Sequence, residues 1–248
     1  ANCMLITKGN VKVWEYFKVK AEELNETVDE SIEHARSLLV DAIKRQLVGD
    51  VPVCTFLSGG LDSSAISAIA AEEFKNRGKQ LTTYSIDKFF KASLFQPTSD
   101  QQFAEFMAKE INSDHRTVIL KHEDLAKALK EATIARDLPG MADIDALLLL
   151  FRKEIIKDFV VGLSGECADE LFAGYPWFTH DEMIYANTFP WSRSVGERKT
   201  VLNKNLQNLK IEELTNEEYL KTLKEVPHLD NEDKSKDARY TLFKSIIE

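Results

Sequence analysis

Ser58-Gly59-Gly60-Leu61-Asp62-Ser63-Ser64 places two glycines, three hydroxyls and one carboxylate within seven residues. Glycines let a backbone turn with positive φ and approach an anion closely. The amides of such a turn, where it opens a helix, form a nest for phosphate oxygens. Ser63 and Ser64, in the first helical turn, are expected to add hydroxyl donors. Asp62 would repel phosphates unless it carries a magnesium ion that bridges to them. A plainer reading of the same residues is a serine-capped helix start with an acid complementing its dipole. The patterns GxxxxGK[ST] and GxGxxG occur nowhere in the chain.

A second group has similar logic. Ser164-Gly165-Glu166-Cys167-Ala168-Asp169-Glu170 puts three carboxylates into five residues behind a Ser-Gly turn. If helical, Glu166, Asp169 and Glu170 share a face. Carboxylates near a phosphate loop need a cation, and Asp62 with Asp169 could hold one. Acids decorating a helix start are the alternative.

These residues need elements to position them. Cys3 to Ile6 and Val11 to Phe17 read as extended runs about a turn at Lys8-Gly9-Asn10. Apolar residues at helical spacing predict a helix from Val28 to Val48. From Val53 strands alternate with helices. The strands are Val53 to Leu57, Leu81 to Ile86, Arg116 to Leu120 and Phe159 to Leu163. The helices between them are Asp62 to Phe74, Asp100 to Glu110, Glu123 to Arg136 and Ile144 to Ile156. That alternation predicts an α/β fold, a parallel sheet with helices on both faces. After Tyr175 helical patterns take over, at Val195 to Leu206, Glu217 to Lys224 and Lys236 to Ile247. The expected domains are a hairpin segment at 1–20, a main domain at 21–190 and a helical extension at 191–248.

The bulk numbers exclude some partners. The 248 residues carry a formal charge of −9, which disfavours nucleic acid and anionic membranes. No apolar run is long enough to span a bilayer, and no leader pattern is present. Cys3, Cys54 and Cys167 are an odd, scattered set that fits a reducing, cytoplasmic setting. His115 and His122 flank a strand and are expected at its solvated ends. Trp177-Phe178 and Phe189-Pro190-Trp191 are expected in core or subdomain packing, with the wall of a substrate site as the alternative.

Together the two motifs resemble the synthetase domain of the glutamine-hydrolysing, B-type asparagine synthetases. The stretches Thr83-Tyr84-Ser85-Ile86, Phe95-Gln96-Pro97-Thr98-Ser99-Asp100 and Asp137-Leu138-Pro139-Gly140-Met141-Ala142-Asp143 are similar as well. The resemblance implies a Rossmann-like fold of the PP-loop ATP pyrophosphatase type. It implies adenylation of aspartate by ATP, release of pyrophosphate, and displacement of AMP by ammonia. The implied nucleotide residues are Leu57, Ser58, Gly59, Gly60, Asp62, Ser63, Ser64, Ile86, Ser164 and Gly165, with Leu57 and Ile86 lining adenine. Asp62 and Asp169 would hold Mg2+, and Glu166 would accept a proton from ammonia. The implied partners are aspartate, ATP, ammonia drawn from glutamine, and an N-terminal glutaminase domain, with a homodimer among the assemblies to test. The chain departs from the pattern at Cys167 and Ala173, where glycine is usual. The family's glutaminase half and its C-terminal segment are expected outside this chain. A β-lactam synthetase and a non-catalytic nucleotide-binding remnant remain as alternatives.

Overall fold

A computed structural model describes residues 1–20, 24–88, 100–138, 140–226 and 239. Apart from Arg239, the expected helix from Lys236 to Ile247 lies outside the described residues, as do Phe95 to Ser99 and Pro139 in the similar stretches. In chain order the elements are β1 (Asn2–Thr7), β2 (Asn10–Glu15), α1 (Val28–Gln46), β3 (Val53–Phe56), α2 (Leu61–Asn76), β4 (Thr82–Lys88), α3 (Gln101–Glu110) and β5 (Asp114–Leu120). There follow α4 (His122–Arg136), α5 (Ala142–Ile155), β6 (Val161–Leu163), α6 (Ala168–Phe172), α7 (Asp181–Ile184), α8 (Val195–Thr200) and α9 (Ile211–Glu225). Contacts divide the chain into two compact units, residues 26–165 and residues 1–25 with 166–248.

The first unit is an α/β layer structure. Its strands run parallel in the order β5-β4-β3-β6, with Val53 beside Val161 and Thr55 beside both Thr83 and Leu163. Successive side chains of a strand leave on opposite faces. Val53 therefore joins Ile43 of α1, Leu47 at its C-terminal cap and Ala70 of α2, while Cys54 joins Phe151 and Ile155 of α5. Helices cover both faces, as the alternation of periods predicts. α1 starts where Thr27 and Glu30 cap each other reciprocally. Burial raises the thiol of Cys54 to about 11, which keeps it an inert part of the core.

His115 differs from its expected place. It sits within β5, half-buried, with Nδ1 2.8 Å from Thr83 Oγ1 and Nε2 3.1 Å from Ser85 Oγ. Burial lowers its pKa, and the charges of Glu105 and Asp114 offset only part of that. Folding therefore favours the neutral ring. The stabilisation is complete above the ordinary value of 6.5 and declines as pH falls below it. Melting temperature should accordingly drop between about pH 7 and pH 5.5, and His115→Gln should flatten that part of the profile. An unchanged slope in the variant would remove His115 as its source.

The second unit contains the antiparallel hairpin β1–β2, paired from Asn2–Glu15 to Thr7–Asn10, and the helical segments after residue 166. Lys18 reaches Glu225 at 3.0 Å. Its core is aromatic, built on Phe178, Phe189 and Tyr219, with Tyr175 and Trp177 packed against it. Phe189 stacks on Trp191 at 4.9 Å and meets Tyr219 edge-on. The helix expected over Val195 to Leu206 breaks after Thr200. Asn203 accepts a hydrogen bond from the amide of Asn205 and starts a separate 3₁₀ turn, Lys204–Leu206. Among the described residues no helix is long and apolar enough to cross a membrane.

Candidate nucleotide site

The apolar strand β3 ends at Phe56, and the Leu57 amide continues its ladder by donating to Tyr84 O at 2.7 Å. Ser58-Gly59-Gly60 then turns the chain into α2, with Gly59 at φ +86°. Gly60 precedes the helix in extended conformation, and no side chain caps the helix. The opening amides of α2 are thus presented at the end of a buried strand, where an anion is the natural cap.

The hydroxyls close the turn. Ser63 is buried, its Oγ accepting from Ser58 N at 3.2 Å and lying 2.9 Å from Ser58 Oγ and 3.2 Å from Gly60 O. A carbonyl can only accept, so Ser63 donates to Gly60 O and Ser58 donates to Ser63. The Gly60 amide returns to Ser58 Oγ at 3.4 Å. The proton of Ser63, the hydroxyl expected to face phosphate, holds the loop in shape here. Ser64 follows as the next residue of α2, its amide bonded to Gly60 O at 3.0 Å.

β6 brings up the facing wall. The pairing of Thr55 with Leu163 sets Ser164 and Gly165 beside the loop. A Cβ on Gly165 would lie 3.1 Å from Ser63 N and 3.2 Å from Asp62 Cβ, so its bare α-carbon rests on the first turn of α2. From β3 the chain winds outward through β4 to β5, then crosses back to β6 on the other side of β3. The carboxyl ends of β3 and β6 therefore flank a crevice of the kind where open α/β sheets bind ligands.

A cavity of about 400 Å³ adjoins the loop, lined by Ser58, Gly59, Gly60, Leu61, Asp100 and Phe103. That size suits a small molecule. Of these, Phe103 carries no role in the sequence pattern, and Asp100 stands there as the start of an expected helix and the end of a similar stretch. The side chains of Leu57 and Ile86, the two residues expected to line adenine, pack in different clusters. Leu57 is 1% exposed beneath Ala104 and Ala108 of α3, whereas Ile86 packs on the opposite face with Tyr84 and Phe151. Any contact of Leu57 with a nucleotide would come from its backbone.

The acidic segment belongs to the other unit. Glu166 precedes α6 rather than sharing its face, because Cys167 takes the left-handed conformation at φ +71° and the helix begins only at Ala168. Asp169 and Glu170 are in the helix. Glu170 accepts from Tyr175 Oη at 3.0 Å, and Tyr175 stacks on Trp177 at 4.2 Å. Burial and this bond to Glu170 raise the Tyr175 pKa, so the phenol remains a donor. Among the described residues no three His, Cys, Asp or Glu side chains form a metal cluster.

Ala173 ends α6 at φ +56°, the left-handed region again. Such a conformation costs a non-glycine residue about 1–2 kcal/mol. Ala173→Gly should stabilise the protein by up to ~1 kcal/mol once the extra freedom of unfolded glycine is subtracted. Chemical denaturation would read this as a higher midpoint at unchanged m-value, and a lower midpoint would contradict it. A Cβ on Gly174, in contrast, would overlap Asp169 Oδ1.

The asparagine synthase family model matches residues 34–245. Asparagine synthetase [glutamine-hydrolyzing] 3 of Bacillus subtilis is 48% identical over 98% of this chain and 40% of its own length. Asparagine synthetase [glutamine-hydrolyzing] 1 of the same organism is 32% identical over 67% of this chain and 25% of its own. The mouse asparagine synthetase is 33% identical over 58% of this chain and 25% of its own. The chain thus spans less than half the length of these relatives. A solved NAD+ synthetase from Burkholderia Pseudomallei covers 54% of this chain and 57% of its own at 17% identity. Its TM-score of 0.26 is too low to carry weight.

Proposed function

This chain belongs to the asparagine synthase family, and from that premise we propose that it is the ATP-using half of an enzyme that converts aspartate to asparagine. The observation that carries the reading is the convergence of Ser58–Gly60, the first turn of α2 and Gly165 at the junction of β3 and β6. Loop and helix amides supply donors for the pyrophosphate of ATP. Ser58 and Ser63 keep the turn from collapsing while that anion is absent.

In the proposed reaction the side-chain carboxylate of aspartate attacks the α-phosphorus, and pyrophosphate departs onto the loop. Ammonia then attacks the activated carbonyl carbon, AMP leaves, and Glu166 takes the proton that the nitrogen must shed. The loop amides stabilise charge as it gathers on the departing phosphates. Asp62 on its own suits magnesium, which keeps several waters and takes phosphate oxygens through few protein carboxylates. Bound there, it would neutralise phosphate charge. The glutaminase that releases ammonia, a homodimeric assembly and a cytoplasmic setting belong to the same proposal, drawn from the relatives' kind of enzyme.

Incubating the intact protein with aspartate, ATP, magnesium and ammonium tests this reading. Asparagine, AMP and pyrophosphate should appear in equal amounts. ATP binding without pyrophosphate release would point to a non-catalytic remnant. Turnover of some other carboxylic acid in place of aspartate would point to a different amide or β-lactam synthetase.

A further inference from the structure

Two hydroxyls outside the proposed chemistry face each other beneath the phosphate loop. Thr55 of β3 and Ser67 of α2 are both 0% exposed, and their Oγ atoms lie 2.8 Å apart. In the sheet Thr55 stands beside Thr83 and Leu163, and Val53 of β3 and Ala70 of α2 belong to one apolar core. A valine and an alanine would fill such a place without leaving a polar atom to satisfy. The pair's location gives it a use. Thr55 lies three residues before Ser58, and Ser67 lies four residues, one helical turn, after Ser63. The Thr55–Ser67 bond is therefore a rung that ties β3 to α2 one helical turn beyond the Ser58–Ser63 bond, which ties the loop to the same helix.

We propose that Thr55 and Ser67 are positioning residues whose hydrogen bond sets the register of α2 on β3, and through it the aim of the loop amides and Asp62. Apolar contact alone is non-directional and tolerates sliding of a helix along a strand. A hydrogen bond has a narrow range of length and angle. A slide of about 1 Å would pull Ser63 from Ser58 and shift Asp62 against Gly165, and errors of that size can cost about a hundredfold in a preorganised site. The pyrophosphate part of this inference rests on the function proposed above; the rung itself does not.

The test is the double variant Thr55→Val/Ser67→Ala of the intact protein. Replacing both partners with apolar groups of similar shape leaves no orphaned buried hydroxyl, so its melting temperature should stay within about 3 °C of wild type. Without any ligand, amide exchange at Ser58–Gly60 should speed up roughly tenfold, with Leu47 and Ala108 unchanged as internal controls. Magnesium pyrophosphate should inhibit the double variant roughly tenfold more weakly while KM for the acid substrate holds, and Thr55→Ser should keep both properties of wild type. Wild-type exchange at the loop in the double variant would overturn the rung, whatever pyrophosphate does. Faster exchange in a protein whose wild type ignores pyrophosphate would support the rung and overturn the functional reading instead.

Discussion

Asp62→Asn in the intact protein should reduce ATP-dependent pyrophosphate release by roughly a thousandfold or more, with the fold unchanged. The estimate follows from charge. Neutralising clustered phosphates contributes several kcal/mol in the transition state, and each ~1.4 kcal/mol is a factor of ten in rate. Asparagine keeps the shape of the side chain and removes the charge that a magnesium ion needs. The fold depends little on that charge. Asp62 is only half-buried in the first turn of α2, where an acid contributes about 0.3–1 kcal/mol through the helix dipole. A melting shift of no more than ~3 °C should accompany the loss of turnover. An active Asp62→Asn variant would show that cation binding does not run through this residue.

Gly59→Ala should do the opposite kind of damage, breaking the fold and the site together. At φ +86° any Cβ is strained, by about 1–2 kcal/mol. Here the new atom would also stand 2.6 Å from Ala104 N and from Phe103 Cβ, and 2.7 Å from Phe103 C. Two of those atoms are backbone in the first turn of α3 and cannot swing aside. Overpacking of this sort adds about 1–3 kcal/mol. The expected outcome is a melting temperature lower by about 5–15 °C and loss of pyrophosphate release. Gly60→Ala is the matched control. Its φ is −71°, and the nearest atom to the new Cβ is Ser58 Oγ at 3.5 Å, so stability should stay within about 0.5 kcal/mol. Equal destabilisation by both substitutions would refute the close approach of α3 to the loop.

The alternation of periods from Val53 onward was legible because buried parallel strands are short, apolar and bounded by turn residues. The phosphate loop could be read because glycine and carboxylate are unusual company at a helix start. Side-chain direction was not. Whether Leu57 faces a ligand or α3 depends on which side of the sheet each helix takes, and no local pattern states that. His115 looked like the flank of a strand because its partners Thr83 and Ser85 lie about thirty residues earlier and become neighbours only through the β4–β5 pairing. Glu166 looked helical because spacing cannot reveal a left-handed residue, and Cys167, not being glycine, concealed the turn. Thr55 and Ser67 gave no signal, since a hydroxyl in an apolar run reads as ordinary composition until its partner is located.

The strand order also sets a sequence of events during synthesis. Among the described residues α2 and α3 separate β3, β4 and β5, so the loop and its helix can take shape once the chain has emerged to about residue 120. The opposite wall arrives much later. Val53 pairs with Val161 across roughly a hundred residues, and only that late closure carries Ser164 and Gly165 to the first turn of α2. A nascent chain thus holds half of the proposed nucleotide cradle for as long as the ribosome takes to add α4, α5 and β6. A nucleotide that engages both walls will favour completion of the sheet, stabilising the closed pair as any ligand of the native state does.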